Sequence, residues 1–193
     1  MRRFVLVTAL LALAFPRAQA QTTTWKIDSV HSEVDFTVRH MSVSNVHGRF
    51  GGVNGVIQLD QADMSKSSVQ ATIDVSSVDS GSAMRDADLK SANFFDTAHY
   101  SKATFASTSV TRQGNHLTVA GNLTLHGVTK PVVLDVEGPS TPVPGMDHKP
   151  HSGFSASATL KRTDFGVGTG FPASIVGDEI KLTVDLEVIK QSL

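Results

Sequence analysis

Cysteine is absent from all 193 residues. That absence excludes disulfide staples, a lipid-modified amino terminus, thiol catalysis, thiolate zinc sites and iron–sulfur clusters. The core must therefore stabilise the fold unaided. A basic excess is also missing, with 17 Lys and Arg against 18 Asp and Glu, which argues against nucleic acid or an anionic membrane surface as partner. Amphipathic aromatics are scarce, Trp25 and Tyr100 being the only tryptophan and tyrosine. Sugar sites favour exposed aromatic platforms, so a carbohydrate-binding module is the weaker reading within the binding class. Catalytic signatures are lacking as well. The chain has no Gly-x-Ser-x-Gly elbow, no His-Glu-x-x-His, no phosphate-binding glycine loop and no dinucleotide fingerprint.

Long apolar runs are limited to one, Phe4 to Phe15, about a dozen residues and short of the ~20 that span a bilayer. Arg2 and Arg3 precede it and Ala18-Gln19-Ala20, a small-x-small site, follows it. This is the pattern of a secretory signal peptide over residues 1–20, which places the remaining chain in the periplasm or outside the cell, with no membrane-spanning segment after cleavage. Three of the 17 basic residues and none of the 18 acidic ones lie in that segment, so the mature balance is −4. Residues 21–193 suit a single domain, and no linker or charge run divides them.

What is present in abundance is alternation. From Leu117 to Glu137, Leu117, Val119, Leu123 and Leu125 share one parity with Gly121, while Thr118, Asn122 and Thr124 take the other. Gly127 and Pro131 punctuate a turn before Val132, Leu134 and Val136 resume the apolar face. The pattern recurs at Val34, Phe36 and Val38; at Val69, Ile73 and Val75; at Phe154, Ala156, Ala158 and Leu160; and from Ile180 to Val188. Less regular candidates lie near Phe50 to Leu59 and Ala103 to Val110. The spacing predicts an all-β, antiparallel barrel of about eight strands. One short helix is expected after Ser82 as its cap, with Asp86 and Asp88 near its positive end and Met84, Ala87, Leu89 and Ala92 on one side. It would close one barrel mouth. Pro139 to His151 reads as loop.

The hairpin around Leu123-Thr124-Leu125-His126-Gly127-Val128-Thr129-Lys130-Pro131 resembles the signature of the YceI-like family of secreted, lipocalin-like isoprenoid-binding proteins. Asp28 to His40, Gly48-Arg49-Phe50, Arg85 to Phe95, Lys161 to Gly166 and Val176 to Glu179 look like further blocks of that family, in its order. Ser101, where the family usually has proline, is one departure, and it touches only the stiffness at the start of a strand. The resemblance implies a lipocalin-like eight-stranded barrel and a polyisoprenoid ligand, including a quinone tail or a prenyl phosphate. It implies neither cofactor nor catalysis. Transport, storage, sequestration and stress protection all fit such a carrier.

A barrel of this size either fills with side chains or holds one ligand. Ala71, Ala103, Gly121, Ala156 and Ala158 are small residues on the inward parity; they either leave volume or fit beside bulky neighbours in a tapering core. The lining expected of a tunnel is Val34, Phe36, Val38, Phe105, Leu117, Val119, Phe154, Ala156, Ala158, Leu160 and Leu182. His40 and Arg162 continue two of these registers at strand ends. Arg162 is read either as a donor pair for a head group or as half of an ion pair with Asp164 or Asp178. His40 either meets the ligand or satisfies a carbonyl. His126 is expected to brace its hairpin. Two further readings compete. Asp147-His148-Lys149-Pro150-His151, with His31, His40 and His47, is a thin case for metal, and Asp28, Ser29 and His31 a thin case for a secreted hydrolase. A second copy could abut an open strand edge or the barrel mouth, forming a homodimer.

Overall fold

The computed structural model describes residues 22–114 and 116–192; the expected signal segment, residues 1–20, lies outside them. Eleven strand segments follow in order: β1 (Thr23–Ile27), β2 (Glu33–His40), β3 (Ser44–Phe50), β4 (Asn54–Leu59), β5 (Ser68–Asp74), β6 (Lys102–Gln113), β7 (His116–Leu125), β8 (Val128–Glu137), β9 (Val143–Pro144), β10 (Pro150–Lys161) and β11 (Val176–Lys190). Among the described residues the single α-helix is α1 (Ala83–Lys90).

These segments build a closed antiparallel barrel of eight staves. Two staves are interrupted. β1 and β2 lie end to end along β11, with Ile27 opposite Val188 and Phe36 opposite Leu182. β3 pairs with β2, and β4 with β1, so the next stave is broken at Gly51 to Val53. From β4 the path runs through β5, β6, β7, β8 and β10 to β11, each antiparallel to the last. Every connection joins neighbours, the arrangement that period-two strands separated by turns can reach with the least loop closure. Asp28 to Ser32, the first interruption, is fixed by Asp28 donating its N–H to the Glu187 carbonyl at 2.9 Å and by Ser32 Oγ accepting from the Glu187 N–H at 3.0 Å.

Burial follows the alternation, and a bulge explains where it slips. In β6, Ala103 and Phe105 are buried on one parity and Val110 on the other, because the register with β7 shifts between Ser107 and Ser109. Ile27, Val53, Val75 and Val188 are the most deeply buried large side chains.

The helix departs from expectation in its chemistry. Ser82 makes no side-chain cap; instead Asp86 accepts from the Ser80 N–H at 2.8 Å, and Arg85 donates to the Ser80 carbonyl at 2.6 Å. Met84 is 84% exposed, so the expected apolar side is not formed, and only Leu89 of α1 packs on the core. Phe94 and Phe95, just beyond the helix, do the sealing. Phe94 stacks on Phe171 at 5.0 Å, and Phe95 meets the Phe50 ring edge-on at 5.3 Å. The Pro-rich stretch, expected as loop throughout, contains β9 and the start of β10, with Val143 paired to His151 and the Ser140 N–H donating to the Gly153 carbonyl at 2.9 Å.

Ile27→Ala is expected to destabilise the barrel by about 2–5 kcal/mol, since the side chain is fully buried in the core. Val133→Ala, on the outer surface, should stay within roughly 0.5 kcal/mol of the parent. Urea unfolding of both variants checks this.

Candidate functional site

Two apolar chambers occupy the barrel. The lower, of ≈ 140 Å³, is walled by residues including Ile57, Leu59, Met64, Val69, Ala71, Phe105, Leu117, Val119, Phe154 and Ala156. The upper, of ≈ 120 Å³, lies beneath Phe94, Phe95, Phe165 and Val167, with Phe36, Val38 and Phe50 at its side. Val34, Ile73, Leu123, Leu160 and Leu182 belong to both, so the two spaces adjoin along the barrel across a shared belt of side chains. The walls are hydrocarbon nearly throughout. Ser67 and Ser68 enter the lower lining, and Lys161 and Arg162 the upper.

The expected lining divides cleanly. Phe105, Leu117, Val119, Phe154 and Ala156 stand in the lower chamber, Phe36 and Val38 in the upper, and Val34, Leu160 and Leu182 in both. Ala158 stands in neither. β8 pairs with β10 only from Asp135 to Glu137, and beyond that point the strands diverge, leaving Ala158 in an outer groove with Val133 and Lys181. His40 is exposed at the tip of β2, paired through its backbone with Ser44 and Val176, because that strand runs on past the chamber wall. Gly121 leaves no volume either: the Phe105 ring lies over it where a Cβ would stand, as the Phe36 ring lies over Gly48.

Arg162 is buried, and its guanidinium faces five backbone carbonyls. Nε donates to Gly177 at 3.1 Å, Nη1 to Val167 at 3.0 Å and to Gly168, and Nη2 to Phe171 at 2.7 Å and Val176 at 2.9 Å. Five N–H groups meet five acceptors. Neither sequence reading of Arg162 therefore holds: no donor is left for a head group, and neither Asp164 nor Asp178 pairs with it among the described residues. Asp178 accepts instead from Thr163, from Oγ1 at 2.8 Å and from the N–H at 3.2 Å. The Thr163 hydroxyl bond, assisted by the Thr163 N–H and nearby Arg162, holds the Asp178 carboxyl below its ordinary range.

His126 does brace its turn, through a distant partner. At φ 52° its Nδ1 lies 3.2 Å from the Phe165 carbonyl, and its ring meets Tyr100 edge-on at 4.8 Å. The β7–β8 turn is thereby tied to the Arg162–Phe165 turn that roofs the upper chamber. Sequence reading missed the floor, Val53, Ile57, Leu59 and Met64, and the roof, Phe165 and Val167. Phe165 lies within the Lys161 to Gly166 block, and Val53, Ile57 and Leu59 within the less regular candidate strand, which were the advance signals.

Arg162→Lys is expected to lower stability by about 1–3 kcal/mol, because three ammonium donors cannot meet five carbonyls; the urea midpoint reads it. Asp178 contributes stability that is complete above its ordinary value of 3.8 and is lost as pH falls through the depressed folded value. Asp178→Asn should therefore cost stability near neutrality and flatten the acid limb of a stability profile recorded from neutral pH downward.

A YceI-like domain model matches residues 25–188. Protein YceI of Salmonella newport (strain SL254) is 36% identical over 198 aligned positions, covering 99% of this chain and 100% of that protein. Among solved structures, BcnA of Burkholderia cenocepacia superposes with a TM-score of 0.73 at 29% identity, over 83% of this chain and 98% of its own. The YCEI protein of Campylobacter jejuni gives 0.71 at 30%, over 80% and 90%. A polyisoprenoid binding domain from Saccharophagus degradans, implicated in plant cell wall breakdown, shares the fold at 0.67 and 20% identity, over 88% and 99%. A match that spans the whole barrel, joined to the His126 hairpin and the Arg162 turn, places this chain in the YceI-like family.

Proposed function

We propose that this protein is an exported carrier that holds a polyisoprenoid, or a similarly long amphiphile, in its two stacked chambers without altering it chemically. The observation that carries the reading is an elongated interior walled almost wholly by hydrocarbon. Burying a chain there gains ~0.8 kcal/mol for each CH₂ removed from water, and Arg162, the buried cation in the upper lining, already has its N–H groups bonded to backbone carbonyls. The Saccharophagus domain, of the same fold, is a polyisoprenoid binding domain, which supports this class of ligand. A quinone tail and a prenyl phosphate both belong to it. Export rests on the charged, apolar and small-residue pattern of residues 1–20.

The hydrolase reading is weaker on this geometry. His31 and Asp28 do approach, with Nδ1 2.9 Å from Oδ2. Yet Asp28 also accepts the Val30 N–H at 3.0 Å, as a turn former does, and nearby Ser32 is engaged with the Glu187 backbone.

Organic extraction of natively purified protein, followed by mass spectrometry beside a denatured and refolded control, is expected to release a long-chain isoprenoid from the native sample alone. Ala156→Phe should weaken binding of a fluorescent prenyl probe about tenfold or more, equivalent to ~1.4 kcal/mol, while Val133→Phe on the outer wall leaves it unchanged. Equal probe binding by a folded Ala156→Phe protein would show that the chambers are not the site.

A further inference from the structure

The interruption between β1 and β2 places three potential metal ligands together on the outside of the barrel. Asp28 and His31 come from the interruption itself, and Glu187 from the strand opposite it. Their ligand atoms all lie within 4.8 Å of one another. The backbone fixes where each side chain starts: the Glu187 carbonyl accepts from the Asp28 N–H, and its N–H is bound by Ser32. Asp28 directs one oxygen to the Val30 N–H, and the other lies 2.9 Å from His31 Nδ1. Glu187 is also held by His151. His151 Nδ1 lies 2.5 Å from Glu187 Oε1, and His151 Nε2 lies 3.0 Å from Asp147 Oδ1.

We propose that Asp28, His31 and Glu187 bind a divalent transition-metal ion of the zinc class, with His151 and Asp147 orienting the Glu187 carboxylate.

Charge and geometry support the assignment. Two carboxylates and a neutral imidazole carry a charge of −2 and match a dication. Zinc bonds of ~2.0–2.2 Å set tetrahedral ligand atoms roughly 3.3–3.6 Å apart. The Asp28–His31 separation is within half an ångström of that spacing, and bringing the third ligand atom to it takes a movement of up to about 1.5 Å. His31 can make that movement, because its side chain is 62% exposed, whereas Asp28, 18% exposed, is anchored. The mixed nitrogen and oxygen set favours zinc, copper or nickel over calcium or magnesium, which take oxygen ligands and more of them. Three protein ligands leave a fourth position for water. A ligating carboxylate supported by an outer hydrogen-bond partner is the usual construction of a metal site, and His151 supplies that partner here. The ion would clasp the broken stave to β11 on the outer face, apart from both chambers.

Untagged protein, stripped with a chelator and dialysed, is titrated with zinc chloride by calorimetry. One ion per chain is expected, with affinity reduced at least about tenfold in His31→Ala and in Glu187→Gln. The control is His99→Ala. His99 and Asp96 form a pair with the same sequence spacing and the same 2.9 Å contact but, among the described residues, without a third ligand, so that variant should bind as the parent does. Far-UV circular dichroism checks that each variant is folded. Absence of stoichiometric uptake by the parent would overturn the proposal, as would uptake that survives His31→Ala or is lost in His99→Ala. None of these outcomes bears on the isoprenoid chambers, which the prenyl probe tests separately.

Discussion

Closure of the sheet depends on β11. At 15 residues it is the longest strand, and it bonds to β10 along one edge and to β2 and then β1 along the other. A closed barrel must turn half of every strand inward, so the composition of the alternate positions decides what the interior can be. Here Ile180, Leu182, Val184 and Leu186 give β11 a continuous apolar inner face. The interruption beside it and the one in the next stave redirect the chain at Asp28 to Ser32 and at Gly51 to Val53.

Polar groups are segregated from that interior by hydrogen-bond saturation. Arg162 is a buried cation at the chamber roof, and in an apolar wall an unmatched guanidinium would cost several kcal/mol. Five carbonyls from Val167, Gly168, Phe171, Val176 and Gly177 match it, and in doing so they gather the chain between β10 and β11 into a compact cap. His126 joins that cap to the β7–β8 turn. The roof is therefore built by an inward-turned charge, and the hydrophobic space begins directly below it.

The barrel and most of its lining were legible because alternation is a local signal: parity within one strand reports which side chains face inward. Its failures mark places where local parity stops describing the global wall. His40 keeps the register of Val34, Phe36 and Val38, yet its strand runs past the chamber. Ala158 keeps the register of Ala156, but its neighbouring strand has already diverged. Phe105 and Val110 occupy opposite parities because a bulge separates them. Gly121 reads as a small residue leaving space, whereas cross-strand packing gives that space to Phe105. Arg162 reads as a free donor only because its acceptors are backbone carbonyls, which every residue carries and no sequence pattern reveals. The floor residues Ile57, Leu59 and Met64 come from a broken stave and a short turn, segments too brief for period two to stand out.

Apolar surface and polar clusters occupy different parts of this barrel. Inside, recognition rests on area removed from water, which tolerates variation in chain length and in the position of double bonds, so the walls define a class of ligand rather than one molecule. Directional groups are concentrated where the sheet is imperfect: at the interrupted stave with Asp28, His31 and Glu187, and at the cap around Arg162. A regular strand offers its outward side chains to solvent at fixed spacing and its backbone groups to its neighbours. A break releases backbone groups that other residues must satisfy, and the contacts that do so bring side chains from distant segments together. The irregular joints of this fold thus bring polar side chains together, while the regular staves supply the nonpolar volume.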